Sequence, residues 1–304
     1  MLKTRYITVE LELEKGRYFQ GKNGIKTIVC NSGYGNAVAD IEVVMQGSGF
    51  SAIETNIVLY GQKWDDIMQY LVAQFENNWN LAINKARVYA GNELINGDKP
   101  PLLVEAQVVM ATIECDNPSQ SNRALVIQGF QGGVTKNQTS QATIIGSEKP
   151  QSLQFLFLSI IAKSQDAGLT PDVSQVTGNF IGIHLEGNWE AQLAKACVKF
   201  GYQWRIIGRT VYIAPQNKAL INKKGIAIIS DDNVKFKYPH ALPYGLEVST
   251  WYDQTIIFGQ RIQLATSVTR WEGEYNIIGM HIMLSNNTDK WYNVLQLTKP
   301  TIQT

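Results

Sequence analysis

Alternating apolar and charged positions near the beginning of the chain predict a half-buried β-strand. In residues 6–14, apolar side chains at positions 9, 11 and 13 alternate with three carboxylates, Glu10, Glu12 and Glu14. Successive side chains of a strand point to opposite faces, so the three glutamates share one face and the apolar set shares the other. The glutamate face could be an ordinary solvated surface, the lining of a channel, or a set of catalytic carboxylates.

Short apolar segments separated by Gly, Asn and Ser predict that residues 1–150 are mostly β-strands. The further candidates are residues 26–30, 38–46, 52–60, 86–90, 102–115 and 123–129. One helix is predicted among them, where apolar residues recur at helical spacing from Trp64 to Phe75. A β-barrel flanked by one helix is the simplest arrangement, since strands without alternating helices disfavour a parallel α/β sheet.

A second predicted helix, residues 153–167, follows a linker rich in Gly, Gln, Ser and Thr at residues 129–150. It is expected to end at Gly168. Its apolar residues, among them Phe155 and Phe157, cover nearly every side of the helix. A helix that is apolar all round is buried, either in a core or at a subunit contact.

Residues 187–215 predict a capped helix, a stop and a tight hairpin. Asn188 suits the N-cap, and an apolar face begins at Trp189. Gly201 supplies the left-handed residue that ends the helix. An aromatic strand containing Trp204 follows, then a two-residue turn at residues 208–209 and a returning strand.

The remainder of the chain returns to β patterning. Strands are predicted at residues 245–251, 260–266, 274–284 and 291–298, with a turn at residues 285–290. The predicted fold class is therefore mainly β with an α+β middle. The expected domains are residues 1–150, 151–225 and 226–304.

Composition narrows the function classes. The net charge of +1 argues against nucleic-acid binding as the main activity. Charged residues make up 17% of the chain, below the roughly 25% of soluble domains, so much of the surface is expected to be uncharged or covered by partners. The three cysteines are too far apart for a CxxC metal site. With no signal-peptide pattern and no apolar run long enough to cross a bilayer, synthesis in a reducing cytoplasm and no membrane insertion are expected.

Motifs for common catalytic chemistry are missing from the sequence. The three histidines form no HExxH motif, and neither a nucleotide-binding glycine pattern nor GxSxG occurs. No catalytic, cofactor-binding or metal-binding residue is therefore assigned, although 26 acidic residues leave a carboxylate pair for glycoside cleavage open. The seven tryptophans fit core packing, a carbohydrate platform or a subunit interface.

The segments already described resemble a known family. Residues 153–215, with an apolar helix followed by the helix–Gly–aromatic hairpin unit, resemble the central domain of phage baseplate hub proteins, which include late-control D proteins. FGQRIQLAT and NNTDKWYNVLQL resemble strands of the C-terminal barrel of a hub. The strand–helix–strand order around Trp64 resembles its N-terminal barrel.

This resemblance implies a non-enzymatic virion protein of the tail baseplate. Hub subunits are trimers in which two tail-tube-like barrels per subunit form a pseudo-sixfold ring around a channel. The implied partners are the central spike, the tail tube or distal tail protein, and a tape-measure protein, with DNA only in transit. Glu10, Glu12 and Glu14 are then expected to line the channel. The residues expected in the core or an interface are Trp64, Phe155, Phe157, Trp189, Trp204 and Trp291. The alternatives are a cell-wall-degrading tail enzyme, either glycosidase or peptidase, and a carbohydrate- or receptor-binding β protein.

Overall fold

The computed structural model describes most of the chain. The described residues are 4–13, 25–31, 37–46, 53–63, 65, 67–68, 71, 84–95, 97, 99–114, 123–131, 142–146, 149–164, 169–207, 210–221, 226–235 and 239–300.

β-strands occupy every segment of the N-terminal region in which the pattern predicted one. They are β1 (Tyr6–Glu12), β2 (Ile25–Asn31), β3 (Val38–Met45), β4 (Glu54–Tyr60), β5 (Lys85–Gly91), β6 (Leu102–Glu114) and β7 (Ala124–Phe130). Buried and less buried residues alternate along β3, β4 and β5, as expected for strands with one face in a core. In the predicted helix, Asp65, Ile67, Met68 and Leu71 are helical, whereas Trp64 and Phe75 lie outside the described residues.

The described residues of the middle region form two helices and several short strands. In chain order these are β8 (Thr143–Ile145), β9 (Gln151–Ser152), α1 (Leu153–Ile161), β10 (Thr170–Asp172), β11 (Asn179–Phe180), β12 (Ile183–Leu185), α2 (Trp189–Phe200), β13 (Tyr202–Ile207) and β14 (Thr210–Pro215). The sequence pattern missed β8 to β12, because strands of two or three residues show no periodicity.

Helix α1 is shorter than predicted. Its N-terminus is capped by Ser152, whose Oγ accepts a hydrogen bond from the amide of Phe155. It ends at Ile161, after which the amides of Lys163 and Ser164 bond to carbonyls three residues earlier. These bonds tighten the final turn and satisfy carbonyls that an ending helix leaves without partners. The expected stop, Gly168, lies outside the described residues.

Helix α2 and its hairpin follow the prediction closely. The Asn188 side chain accepts a hydrogen bond from the amide of Ala191, and Gly201 takes the left-handed conformation with φ of 73°. Strands β13 and β14 pair antiparallel, with Trp204 opposite Ile213. The turn at residues 208–209 lies outside the described residues.

The C-terminal region is again β. It contains β15 (Ala227–Ser230), β16 (His240–Leu242), β17 (Gly245–Trp251), β18 (Arg261–Ala265), a 3₁₀ turn (Thr269–Trp271), β19 (Gly273–Ser285) and β20 (Trp291–Thr298). The predicted turn at residues 285–290 joins β19 to β20, and the amide of Ser285 donates to the carbonyl of Lys290.

One large sheet contains strands from both β-rich regions. Thirteen of the described strands belong to it, and its main path runs β16-β17-β20-β19-β3-β4-β7-β6-β5-β1-β2, with β18 on β19 and β15 on β18. The regions meet where β3 pairs antiparallel with β19, for example Ile41 with Leu284. Among the described strands this path does not close into a barrel. The mainly β class is confirmed, whereas the two-barrel arrangement stays a prediction.

Among the described residues, the buried apolar side chains form two clusters. One contains residues of both β-rich regions, from Ile7 to Leu297. The other belongs to the middle region and extends from Leu153 to Val211 and Ile213. The domain boundaries after residues 150 and 225 remain predictions.

Candidate assembly surfaces

Glu10 lies in a charged cluster on the face shared by β1 and β5. Its side chain accepts hydrogen bonds from the Lys99 ammonium (2.6 Å) and the Tyr89 hydroxyl (2.9 Å). Only 7% of the residue is exposed. This burial raises the pKa of Glu10, but the two hydrogen bonds and the positive charges of Lys99 and Arg87 outweigh it, so the pKa lies below its ordinary value.

Glu12 contacts a second cation of the same face. Arg87 donates to Glu12 Oε2 at 2.5 Å and to Glu105 Oε2 at 2.6 Å, and so links β1, β5 and β6. Burial lowers the pKa of Arg87. Hydrogen bonds and charge attraction from Glu105 and Glu12 have a larger, opposite effect, so the pKa lies above its ordinary value. Glu14 lies outside the described residues.

The glutamates of β1 therefore do not form an isolated row of negative charge. Three carboxylates and three cations make up the described cluster, namely Glu10, Glu12, Glu105, Lys85, Arg87 and Lys99. The antiparallel register places Arg87 opposite Glu10 and Lys85 opposite Glu12. Sequence patterning missed these cations because it predicts the faces of a strand, but not which strand lies beside it. That this face lines a channel stays a prediction.

The predicted aromatic residues of the middle region pack around α1, α2 and the hairpin. Trp189 and Trp204 are buried, and their ring centroids lie 6.1 Å apart. Phe157 is also buried and meets the Tyr202 ring edge-on, with centroids 5.5 Å apart. These contacts hold both helices and the hairpin together as one unit.

Trp291 lies where the two β-rich regions meet. It is buried, and its indole N–H donates to Asn92 Oδ1 at 2.9 Å. The Tyr252 ring packs edge-on against it at 5.4 Å, and the Tyr252 hydroxyl donates to the Ala90 carbonyl. Asn92 and Ala90 belong to the N-terminal region. The contacts of Trp291 and Tyr252 therefore connect the two β-rich regions, in addition to the β3–β19 pairing.

The exposed side of α1 is the clearest apolar candidate for an assembly contact. Phe155 is 52% exposed, and Leu158, one turn later, is exposed as well. Leu156, Phe157 and Ile160 on the other side are fully buried. The single chain thus covers only one face of a helix that is apolar nearly all round.

Two kinds of catalytic group can be assessed among the described residues, namely metal ligands and cysteine thiols. Among them, no group of three His, Cys, Asp or Glu side chains could hold a metal ion. Cys30 and Cys197 are buried, and burial raises the pKa of the Cys30 thiol to about 12 and that of Cys197 further. Across the described part of the chain, no helix is both long and apolar enough to cross a membrane.

Comparison with known proteins gives no match by sequence and clear matches by structure. No protein-family model and no curated protein sequence matches the chain. A tail protein from Neisseria meningitidis superposes with a TM-score of 0.62 at 9% identity, over 96% of each chain. The 43 kDa tail protein of prophage MuSo2 from Shewanella oneidensis gives a TM-score of 0.59 at 11% identity, also over 96% of each chain. The chain has the fold of phage tail proteins.

A third solved structure with a similar fold belongs to a protein secretion system. A component of the Escherichia coli type VI secretion system, itself similar to T4 tail proteins gp27 and gp5, has a TM-score of 0.52 at 8% identity. The match covers 88% of this chain and 74% of that protein. The resemblance inferred from the sequence is therefore confirmed as a resemblance of fold.

Proposed function

We propose that the protein is a structural subunit of a tail baseplate, acting as the hub that joins the tail tube to the central spike. The observation that carries the proposal is the shared fold with tail proteins over 96% of the chain in two separate cases. Coverage of this extent includes the middle region as well as both β-rich regions. It favours a tail component over an unrelated β protein.

The proposed hub is a homotrimer that surrounds a channel. The exposed apolar face of α1 around Phe155 and Leu158 supports this, since contacts between permanent subunits are rich in apolar side chains. Its other proposed partners are the spike, the tail tube or a distal tail protein, and a tape-measure protein. In this role the protein is a part of the virion and not an enzyme.

The channel is proposed to be lined by the face of β1 that carries Glu10 and Glu12. The cations Arg87 and Lys99 balance these carboxylates, so the lining would be close to neutral. Such a surface would neither bind the DNA backbone through excess positive charge nor repel it strongly. DNA would contact the protein only during its passage.

The decisive experiment measures the oligomer and images it. Light scattering coupled to size exclusion should give three times the 34.0 kDa mass of the chain, and electron microscopy should show rings with a central hole. A compact monomer at micromolar concentration, both alone and with its spike protein present, would contradict the proposal. A cell-wall-degrading activity in a zymogram, lost on substitution of a single carboxylate, would favour the enzymatic alternative.

A further inference from the structure

A cavity of about 310 Å³ lies between the middle region and the C-terminal sheet. One wall comes from β13, through Arg205, and from the segment after β14, through Lys218. Other lining residues come from β19 and β20, among them Ile278 and Gln296. A cavity of this volume can accommodate a small organic molecule or the end of a polypeptide.

The charge of the cavity wall is positive. Of the described residues that line the cavity, Arg205 and Lys218 are cationic and none is Asp or Glu. The other polar lining groups are neutral amides and hydroxyls, such as those of Gln203, Asn276 and Tyr244. A ligand that complements this wall carries negative charge and hydrogen-bonding groups.

Arg205 is held firmly in the wall. It is only 6% exposed, and its guanidinium lies over the Phe258 ring, 5.3 Å from the centroid. Burial lowers the pKa of Arg205 to about 10, which leaves it protonated at neutral pH. A cation already fixed against an aromatic ring loses little freedom when it binds an anion. Lys218, by contrast, is an exposed residue of the cavity lining.

The backbone around the cavity is shaped by two local irregularities. The β19–β20 register shifts between Ile277 and Gly279, so Ile278 lies in a β-bulge. Bulges change the direction in which a side chain points and are common beside functional sites. Gly259, with φ of 81°, lies against Leu220, and its carbonyl accepts the amide of Ile221. The cavity therefore lies where the middle and C-terminal regions meet.

We propose that this cavity binds a carboxylate ligand, with Arg205 contacting the carboxylate and Lys218 adding a second positive charge to the lining. The planar guanidinium presents paired N–H donors that match the two oxygens of a carboxylate. Two sources supply this chemistry: a small organic acid, and the terminal carboxylate of a polypeptide. The proposal is independent of the role in the tail.

Calorimetric titrations at constant ionic strength distinguish the two sources. The probes are succinate, triglycine with a free C-terminus, and triglycine amide. Saturable binding of succinate alone indicates a small acid, whereas binding of free triglycine alone indicates a polypeptide end, and binding of both indicates the shared carboxylate chemistry. The proposal is overturned if neither acid saturates the protein, if the amide binds as tightly as the acid, or if sodium chloride gives the same response.

Variants test the assigned residues. Lys218→Glu and Arg205→Gln should each weaken binding of the acid probe at least tenfold. Arg205→Lys keeps the charge but loses the paired donors, so its affinity should lie between those of Arg205→Gln and the unmodified protein. Lys199→Gln on α2, outside the cavity lining, is the matched control and should bind as the unmodified protein does. Because Lys218 is exposed, its variant should fold even where an Arg205 variant does not. Unchanged affinity in Lys218→Glu would overturn the assignment.

Discussion

At the scale of single residues, the tryptophans differ sharply in what they contribute. Trp204 is 5% exposed and packs against Trp189, whereas Trp251 on β17 is 45% exposed. Trp204→Ala should lower the free energy of unfolding by about 3–5 kcal/mol, because truncating a large buried aromatic loses apolar contacts and leaves a cavity. Trp251→Ala, the matched control, should change it by less than about 1 kcal/mol. Urea unfolding followed by circular dichroism measures both, and equal losses would place Trp204 outside the core.

Glu10 makes part of the stability dependent on pH. Its pKa in the folded chain is lowered, so its carboxylate stabilises the fold above its unfolded pKa of about 4.3, and this contribution is lost as pH falls through the folded pKa. Glu10→Gln should therefore be less stable than the unmodified protein at pH 7. The difference should shrink as the pH is lowered below about 4.

Unfolding free energies measured by urea titration between pH 3 and pH 7 test this expectation. Glu54→Gln, at an exposed position at the start of β4, controls for the loss of one surface carboxylate. A constant difference between Glu10→Gln and the unmodified protein across this range would show that the contacts with Lys99 and Tyr89 do not stabilise the ionised form.

At the scale of elements, a comparison of two glycine substitutions measures how much the left-handed backbone conformation at the end of α2 matters for stability. An added Cβ would meet no atom within 4 Å at either Gly201 or Gly146, but only Gly201 has a positive φ, 73°. Gly201→Ala should therefore destabilise the fold by about 1–2 kcal/mol, the strain of a left-handed alanine. Gly146→Ala should be neutral or slightly stabilising, since alanine restricts the unfolded chain. Thermal unfolding compares the two, and similar melting temperatures would mean that the helix end relaxes to accept a side chain.

The elements also show what could be predicted from the sequence. Helix α2, its Asn188 cap and its Gly201 stop were predicted because caps and apolar faces are set by neighbouring residues. The early end of α1 was missed because the prediction extended the helix to the next glycine, Gly168, whereas the backbone hydrogen bonds change directly after Ile161. The cations beside Glu10 and Glu12 were missed because strand pairing is decided by residues far apart in the chain.

At the scale of the whole molecule, long-range pairing joins the two β-rich regions. β3 pairs with β19, His281 Nε2 lies 2.7 Å from Glu42 Oε1 across this pairing, and Trp291 bonds to Asn92 nearby. A sequence pattern shows that each of these strands has a buried face, but it does not identify the strand that lies alongside. The exposed face of α1, in the middle region, is the surface that we propose for assembly.

That surface gives the last prediction. Phe155→Glu should convert the proposed trimer to monomers, because it places a charge in a contact that excludes water. The folded chain itself should lose little stability, since Phe155 is 52% exposed in the single subunit. Val198→Glu on α2, where the residue is 77% exposed, is the matched control and should leave the trimer intact. Light scattering gives the mass and circular dichroism the melting temperature. A Phe155→Glu protein that remains trimeric would remove α1 from the interface, and one that unfolds would show that Phe155 belongs to the core of the subunit.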